Sequence, residues 1–228
     1  MRSRSLLAVG GPGHLATASW LGRAWLPGGL TPQQGCGTLG AMHRRPLLTL
    51  LEAYRARYPE DGERALTVAR FVREHADCFE RSCLLGHVTG SAWIVSPDGA
   101  QVLLTQHRKL GRWLQLGGHC DGDSDVFAVA LREAREESGL ERFETLSDDL
   151  GRLPLDIDVH EIPARGAEPA HLHHDVRFLL LAEPEQPLCR SDESADLRWM
   201  PWADLPRLAS EESLLRMGRR ARGLLGLI

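Results

Sequence analysis

The sequence predicts an α+β fold, in which strands and helices mix without the regular strand–helix–strand alternation of a doubly wound sheet. Three observations carry this reading. Apolar residues recur at helical spacing over residues 46–80. From Leu84 onward the period becomes that of strands separated by turn residues. One amphipathic helix, expected over 125–138, then interrupts the strands.

Taken in order, residues 1–41 are rich in Gly, Pro, Ala and Leu. Arg2 and Arg4 followed by an apolar run imitate a secretory signal, but Gly10, Gly11, Pro12, Gly13 and His14 interrupt its apolar core. Two readings stay open: a flexible extension, or a chain whose translation starts at Met42. Residues 42–83 read as a helical hairpin. Leu47, Leu48, Leu50, Leu51 and Tyr54 mark one apolar face, Pro59 to Gly62 break the pattern, and Ala65, Val68, Phe71 and Val72 mark the second. A packing element or a partner surface is the expected role. Residues 84–228 form the remaining domain. Strands are expected at 91–95, 101–105, 113–116, near 152–160, 174–182 and 197–200, with a turn at Ser96-Pro97-Asp98-Gly99 and a closing helix over 211–222.

Composition excludes several classes. With 43% hydrophobic and 25% charged residues in 228, the chain is globular rather than disordered. No apolar run approaches the roughly 18 residues of a membrane span. A net charge of −4 argues against duplex nucleic acid as partner. The charge is uneven. Three arginines and no carboxylate precede Met42, and removing them from the 27 cations leaves 24 against 31 acids. Five scattered cysteines without a CxxC pair fit reduced, buried thiols in a reducing compartment, and a cytoplasmic location is expected.

The chemistry concentrates in Gly117-Gly118-His119-Cys120-Asp121-Gly122-Asp123-Ser124 and in the helix that ends Arg132-Glu133-Ala134-Arg135-Glu136-Glu137-Ser138-Gly139-Leu140. At about 100° per residue, Glu133, Glu136 and Glu137 share an arc of about 100°, while Phe127, Ala130, Leu131 and Ala134 fall on the adjoining arc and can face the core. Three carboxylates on one arc repel, and they sit near the C-terminal end, where the helix dipole disfavours them. A hard divalent cation removes that conflict, because Mg²⁺ takes carboxylate, water and phosphate oxygens. Glycine at 117–118 lets a backbone carbonyl approach the same ion. A solvated helix face with Arg132 and Arg135 as partners is the competing reading. Ser124 is expected to cap the helix and Gly139 to end it.

These residues resemble the Nudix box, G-x5-E-x7-R-E-U-x-E-E-x-G-U, over residues 118–140, with Ser124 in place of the first Glu and Ala134 at the aliphatic position. Asp121, Asp123 or Asp125 are candidates to supply the missing charge. The resemblance implies a mixed sheet sandwiched between helices and a Mg²⁺-dependent pyrophosphohydrolase, with Mn²⁺ as a substitute, acting on a nucleoside diphosphate derivative. It also implies Glu136 and Glu137 as metal ligands with the Gly118 backbone nearby. Glu133 becomes a direct ligand, a ligand through water, or the base, and Arg132 becomes a holder of a glutamate. A base outside the box is common in the family, and Glu193 or Asp192 are the candidates. A homodimer is common in the family as well. The alternatives are a nucleotide-sensing module that no longer cuts, and a diphosphate-dependent isomerase on the same fold.

Several cations and rings are candidates for substrate contact: His119 after the Gly-Gly pair, and His107, Lys109 and Arg112 ahead of the Trp113 strand. Trp113 and Trp199 are read as core, or as platforms for a base. His171, His173, His174 and Asp175 cluster in one strand, where alternation puts His173 and Asp175 on one face and His174 on the other. Phosphate contact, strand-edge polarity and a transition-metal site are its three readings.

Overall fold

The first helix, α1 (Arg45–Arg57), accepts Pro46 in its first turn, where no backbone donor is needed, and buries Leu47, Leu51 and Tyr54. The structure is a computed structural model that describes residues 42–146, 152–192, 194–208 and 211–227. The expectations for residues 1–41 and for Glu193 lie outside these described residues. A 3₁₀ turn (Pro59–Asp61) reverses the chain into α2 (Gly62–Glu74), which buries Ala65, Val68, Ala69 and Val72. The hairpin is therefore as expected, except that Phe71 is only partly buried and lays its ring on His174 at 4.0 Å.

Eight strands form one mixed sheet: β1 (Gly86–Val95), β2 (Gln101–His107), β3 (Trp113–Leu114), β4 (Leu116–His119), β5 (Phe143–Glu144), β6 (Asp156–Ile162), β7 (His171–Ala182) and β8 (Ser194–Pro201). Central β1 runs parallel to β7, from Gly86↔Leu172 to Val95↔Leu181. Its first half pairs antiparallel with β4 and its last residues with β2. Antiparallel β8 and β3 extend the β2 side, and β6 and β5 extend the β7 side. The strand expected at 113–116 breaks at Gln115, whose amide reaches 3.1 Å to Asp175.

Side chains alternate across β1. Val88, Ala92 and Ile94 join a core with α1, α2 and the helix α3 (Val126–Ser138). Trp93 and Val95 join a second core with α4 (Leu205–Leu208) and α5 (Glu212–Leu224). The sheet thus lies between helices on both faces. Among the described residues no helix is long and apolar enough to cross a membrane. Cys78, Cys83 and Cys120 are buried free thiols as expected, whereas Cys189 is exposed.

One feature had no sequence signal. Asp156 is wholly buried and accepts hydrogen bonds from Arg216 (2.7 and 2.8 Å), Arg220 (2.6 Å) and Arg177 (3.1 Å). Arg177 and Arg216 also reach Asp158, each at 3.2 Å. Arg220 continues to Asp61 and the Tyr54 hydroxyl of the hairpin, and its guanidinium lies 4.4 Å over the Tyr58 ring. This ionic cluster ties the hairpin, α5, β6 and β7 together.

Candidate active site

The helix α3 begins one residue later than predicted. Its cap is Asp125, whose carboxylate accepts the Ala128 N–H at 3.1 Å, and not Ser124. A carboxylate there also suits the positive end of the helix dipole. At the other end Gly139 has φ +72°, the left-handed geometry expected of the residue that stops the helix. Ala130 and Ala134 point into the core, so the acidic arc faces outward.

That arc opens onto a cleft of about 550 Å³. Glu133, Glu136, Glu137 and Arg132 form one wall. Gly117 and Gly118 of β4 form the floor. A Cβ on Gly118 would lie 2.5 Å from the Glu133 carboxyl carbon, so the strand and the acid meet only because glycine stands there. Gly117 N–H donates to Glu137 Oε2 at 3.3 Å. Arg132 donates to Glu133 Oε1 at 2.9 Å and to the His119 carbonyl at 2.8 Å, which fixes the acid against β4. Gly118→Ala is expected to lower kcat/KM by about 10²-fold by displacing Glu133, with the melting temperature little changed, since misplacement of about 1 Å costs that much. Steady-state kinetics beside a thermal melt checks it.

The opposite walls carry His107 from the end of β2, Lys109 and Leu110 from the β2–β3 turn, and His160, Ile162, His173 and Asp175 from β6 and β7. His107 faces its own turn as well, since its Nδ1 accepts the Lys109 and Leu110 N–H groups at 3.3 Å. Arg112 is elsewhere: it is exposed and pairs with Glu211 at 2.7 Å, and it does not line the cleft. His119 lines the cleft, but burial, then the charge of Arg81, pushes its pKa down to about 4. Its ring is therefore neutral at neutral pH. Asp192 is an exposed turn residue outside the lining. Trp199 packs against the core, and Trp113 is half-buried with Arg198 5.7 Å over its ring; neither lines the cleft.

Of the three aspartates weighed for the missing first Glu, only Asp121 lines the cleft. Arg81 grips it through two hydrogen bonds of 2.5 and 2.7 Å and holds its carboxyl below the usual range. Asp123 instead accepts the Asp125 N–H.

Several lining residues carried no sequence signal. Arg81 sits in the turn after the hairpin and reads as a surface cation. Asp175, expected as part of a histidine cluster, is buried and accepts from Thr89 (3.0 Å), Ser91 (2.8 Å), Gln115 (3.1 Å) and Arg177 (2.6 Å). The pairing of β1 with β7 brings Thr89 and Ser91 to it. His174 is on the other face, stacked on Phe71, with its pKa pushed down to about 4, mainly by burial.

The sequence profile of the NUDIX domain matches residues 86–219. Among solved structures, the chain is similar to a NUDIX-family hydrolase from Clostridium perfringens, with 25% identity over 60% of this chain and 97% of that one and a TM-score of 0.45. It is similar to a C. elegans Ap4A hydrolase, with 18% identity, 62% and 98% coverage and a TM-score of 0.44. It is also similar to the NUDIX domain of Shewanella oneidensis NrtR complexed with ADP ribose, with 22% identity, 60% and 87% coverage and a TM-score of 0.39. No curated protein matches the chain.

Proposed function

The chain belongs to the NUDIX family, and from that premise we propose that it is a Mg²⁺-dependent hydrolase that cleaves the diphosphate bond of a nucleoside diphosphate derivative. The observation that supports this most is the convergence of Glu133, Glu136 and Glu137 on a cleft that Lys109 and Arg81 also line. An all-oxygen donor set fits a hard cation such as Mg²⁺, or Mn²⁺ in its place. Glu136, Glu137 and the Gly118 backbone would hold the ion. When bound, it would neutralise bridging phosphate oxygens and lower the pKa of coordinated water.

The side chains do the rest. Gly117 N–H positions the Glu137 carboxylate. Arg132 orients Glu133, which we assign to accept the proton of the attacking water. Lys109 and Arg81 meet the phosphate charge as it is redistributed. Leu110, Leu114 and Ile162 offer an apolar wall to the group beyond the diphosphate. Residues 42–83 lie outside the matched region, and we read them as an appended hairpin that braces β6 and α5 through Asp61 and Arg220.

The test is a product-release assay on ADP-ribose-like sugars, dinucleoside polyphosphates and nucleoside triphosphates. At least one is expected to be cleaved at a phosphoanhydride with Mg²⁺, to resist cleavage in EDTA, and to be cleaved again on adding Mg²⁺ or Mn²⁺. Binding without cleavage across the whole panel would point to a sensing module instead.

A further inference from the structure

The sheet gathers a second ligand set, made of nitrogen rather than oxygen. Parallel pairing puts His87 of β1 in register with His173 of β7. His171, two residues before His173, emerges on the same face. Antiparallel β6 places His160 opposite His173. The His87 ring lies 4.9 Å from that of His171 and 4.8 Å from that of His173, centroid to centroid. One ring nitrogen from each of His87, His171 and His173 can be chosen so that all lie within 4.8 Å of one another.

Two details turn this proximity into a site. His171 Nε2 and His173 Nε2 are 3.4 Å apart, close to the roughly 3.3 Å between two nitrogens bound tetrahedrally to one zinc ion at about 2.0–2.1 Å. The Nδ1–H of His171 donates to the Pro169 carbonyl at 3.0 Å, which leaves its Nε2 lone pair to a metal. His87 is only 2% exposed, yet neither of its ring nitrogens meets hydrogen-bond geometry. The Cys83 carbonyl interacts with this ring while it also accepts the Gly86 N–H at 3.1 Å. A buried imidazole without a well-formed hydrogen bond is a rare arrangement that calls for a cause.

We propose that His87, His171 and His173 bind a borderline transition-metal dication, of which Zn²⁺ is the type, separately from the carboxylate site. The set differs from the one the sequence suggests. His174 faces away, and Asp175 is taken by Arg177, Thr89, Ser91 and Gln115. His87, distant in sequence, completes the triad. Imidazole nitrogens favour Zn²⁺, Ni²⁺ or Cu²⁺ over Mg²⁺. His173 lines the cleft, so an exchangeable ligand reaches the ion from there. The Glu168 carboxylate, 3.8 Å from His171 Nε2, stands on the exposed side.

The test uses the full chain stripped of metal and titrated with Co²⁺ as a visible probe. One equivalent is expected to bind with the absorption of a low-coordinate nitrogen site, and Zn²⁺ is expected to displace it. His87→Gln, His171→Gln and His173→Gln should each weaken Co²⁺ binding by about tenfold or more. A Glu136→Gln/Glu137→Gln double variant should keep the spectrum. Zn²⁺ should raise the melting temperature of the parent but not of His173→Gln. His173 is only partly buried, so its variant carries the test if the buried His87 substitution does not fold. The proposal is overturned if no such spectrum forms, or if the spectrum survives His173→Gln and disappears with the glutamate pair. These readouts do not depend on turnover, so they stand apart from the hydrolase reading.

Discussion

Glu137→Gln is expected to reduce kcat by about 10³-fold or more, a loss of roughly 4 kcal/mol of transition-state stabilisation. The substitution isolates charge from position. A glutamine oxygen can still accept the Gly117 N–H that holds Glu137 against β4, so the side chain keeps its place and loses only its charge. Glu137 is partly exposed to the cleft, so folding should be barely affected. Two readings separate in the kinetics. If Glu137 holds the cation, the Mg²⁺ concentration for half-maximal rate rises along with the loss in kcat. If it acts only on bound substrate, KM moves and the Mg²⁺ dependence does not. Unchanged turnover would remove the chemistry from this wall of the cleft altogether.

The helix that carries this residue was legible because one period governs both of its faces. The spacing that sends Ala130 and Ala134 inward necessarily sends Glu133, Glu136 and Glu137 to one outer arc. β1 was legible only in part, at 91–95. Its first half, Gly86-His87-Val88-Thr89-Gly90, breaks the apolar pattern, although every residue of it is buried. Thr89 and Ser91 turn toward the cleft and Asp175, so polar residues there mark the site and not a loop. Arg112 shows the opposite failure. A cation ahead of the Trp113 strand was expected to contact substrate, but the turn directs Arg112 to Glu211. Ser124 was expected to cap α3, yet Asp125 stands one residue closer to the first turn and carries a charge that the helix dipole favours. The histidine triad and the Arg81–Asp121 pair were out of reach, because each joins residues whose proximity exists only after the sheet is assembled.

Asp156→Ala is expected to destabilise the fold by about 3–5 kcal/mol, because it removes the shared acceptor of three arginines in a buried site. For a chain of this size that corresponds to a fall in melting temperature of roughly 10 °C. Each of Arg177, Arg216 and Arg220 retains another acid, at Asp158, Asp175 or Asp61, so the charges are only partly stranded and the loss belongs at the lower end of that range. Asp156→Asn should recover little of the loss, since it keeps one acceptor oxygen but turns an amide NH2 donor toward arginine N–H donors. A double-mutant cycle with Arg220→Ala should show coupling, as the two share one network that reaches the hairpin. Acid should mimic the defect. Burial raises the pKa of Asp158, but the neighbouring His160 and the charges of Arg177 and Arg216 outweigh it and hold the carboxyl below the usual range. Its contribution is thus complete above about pH 4 and is lost as the pH falls toward the folded-state value. The same cluster reaches the cleft, since Arg177 also holds Asp175 at 2.6 Å on its wall. Turnover of Asp156→Ala, measured well below its melting temperature, should accordingly drop as well. Full activity in a strongly destabilised variant would show that the network braces the fold without setting the cleft.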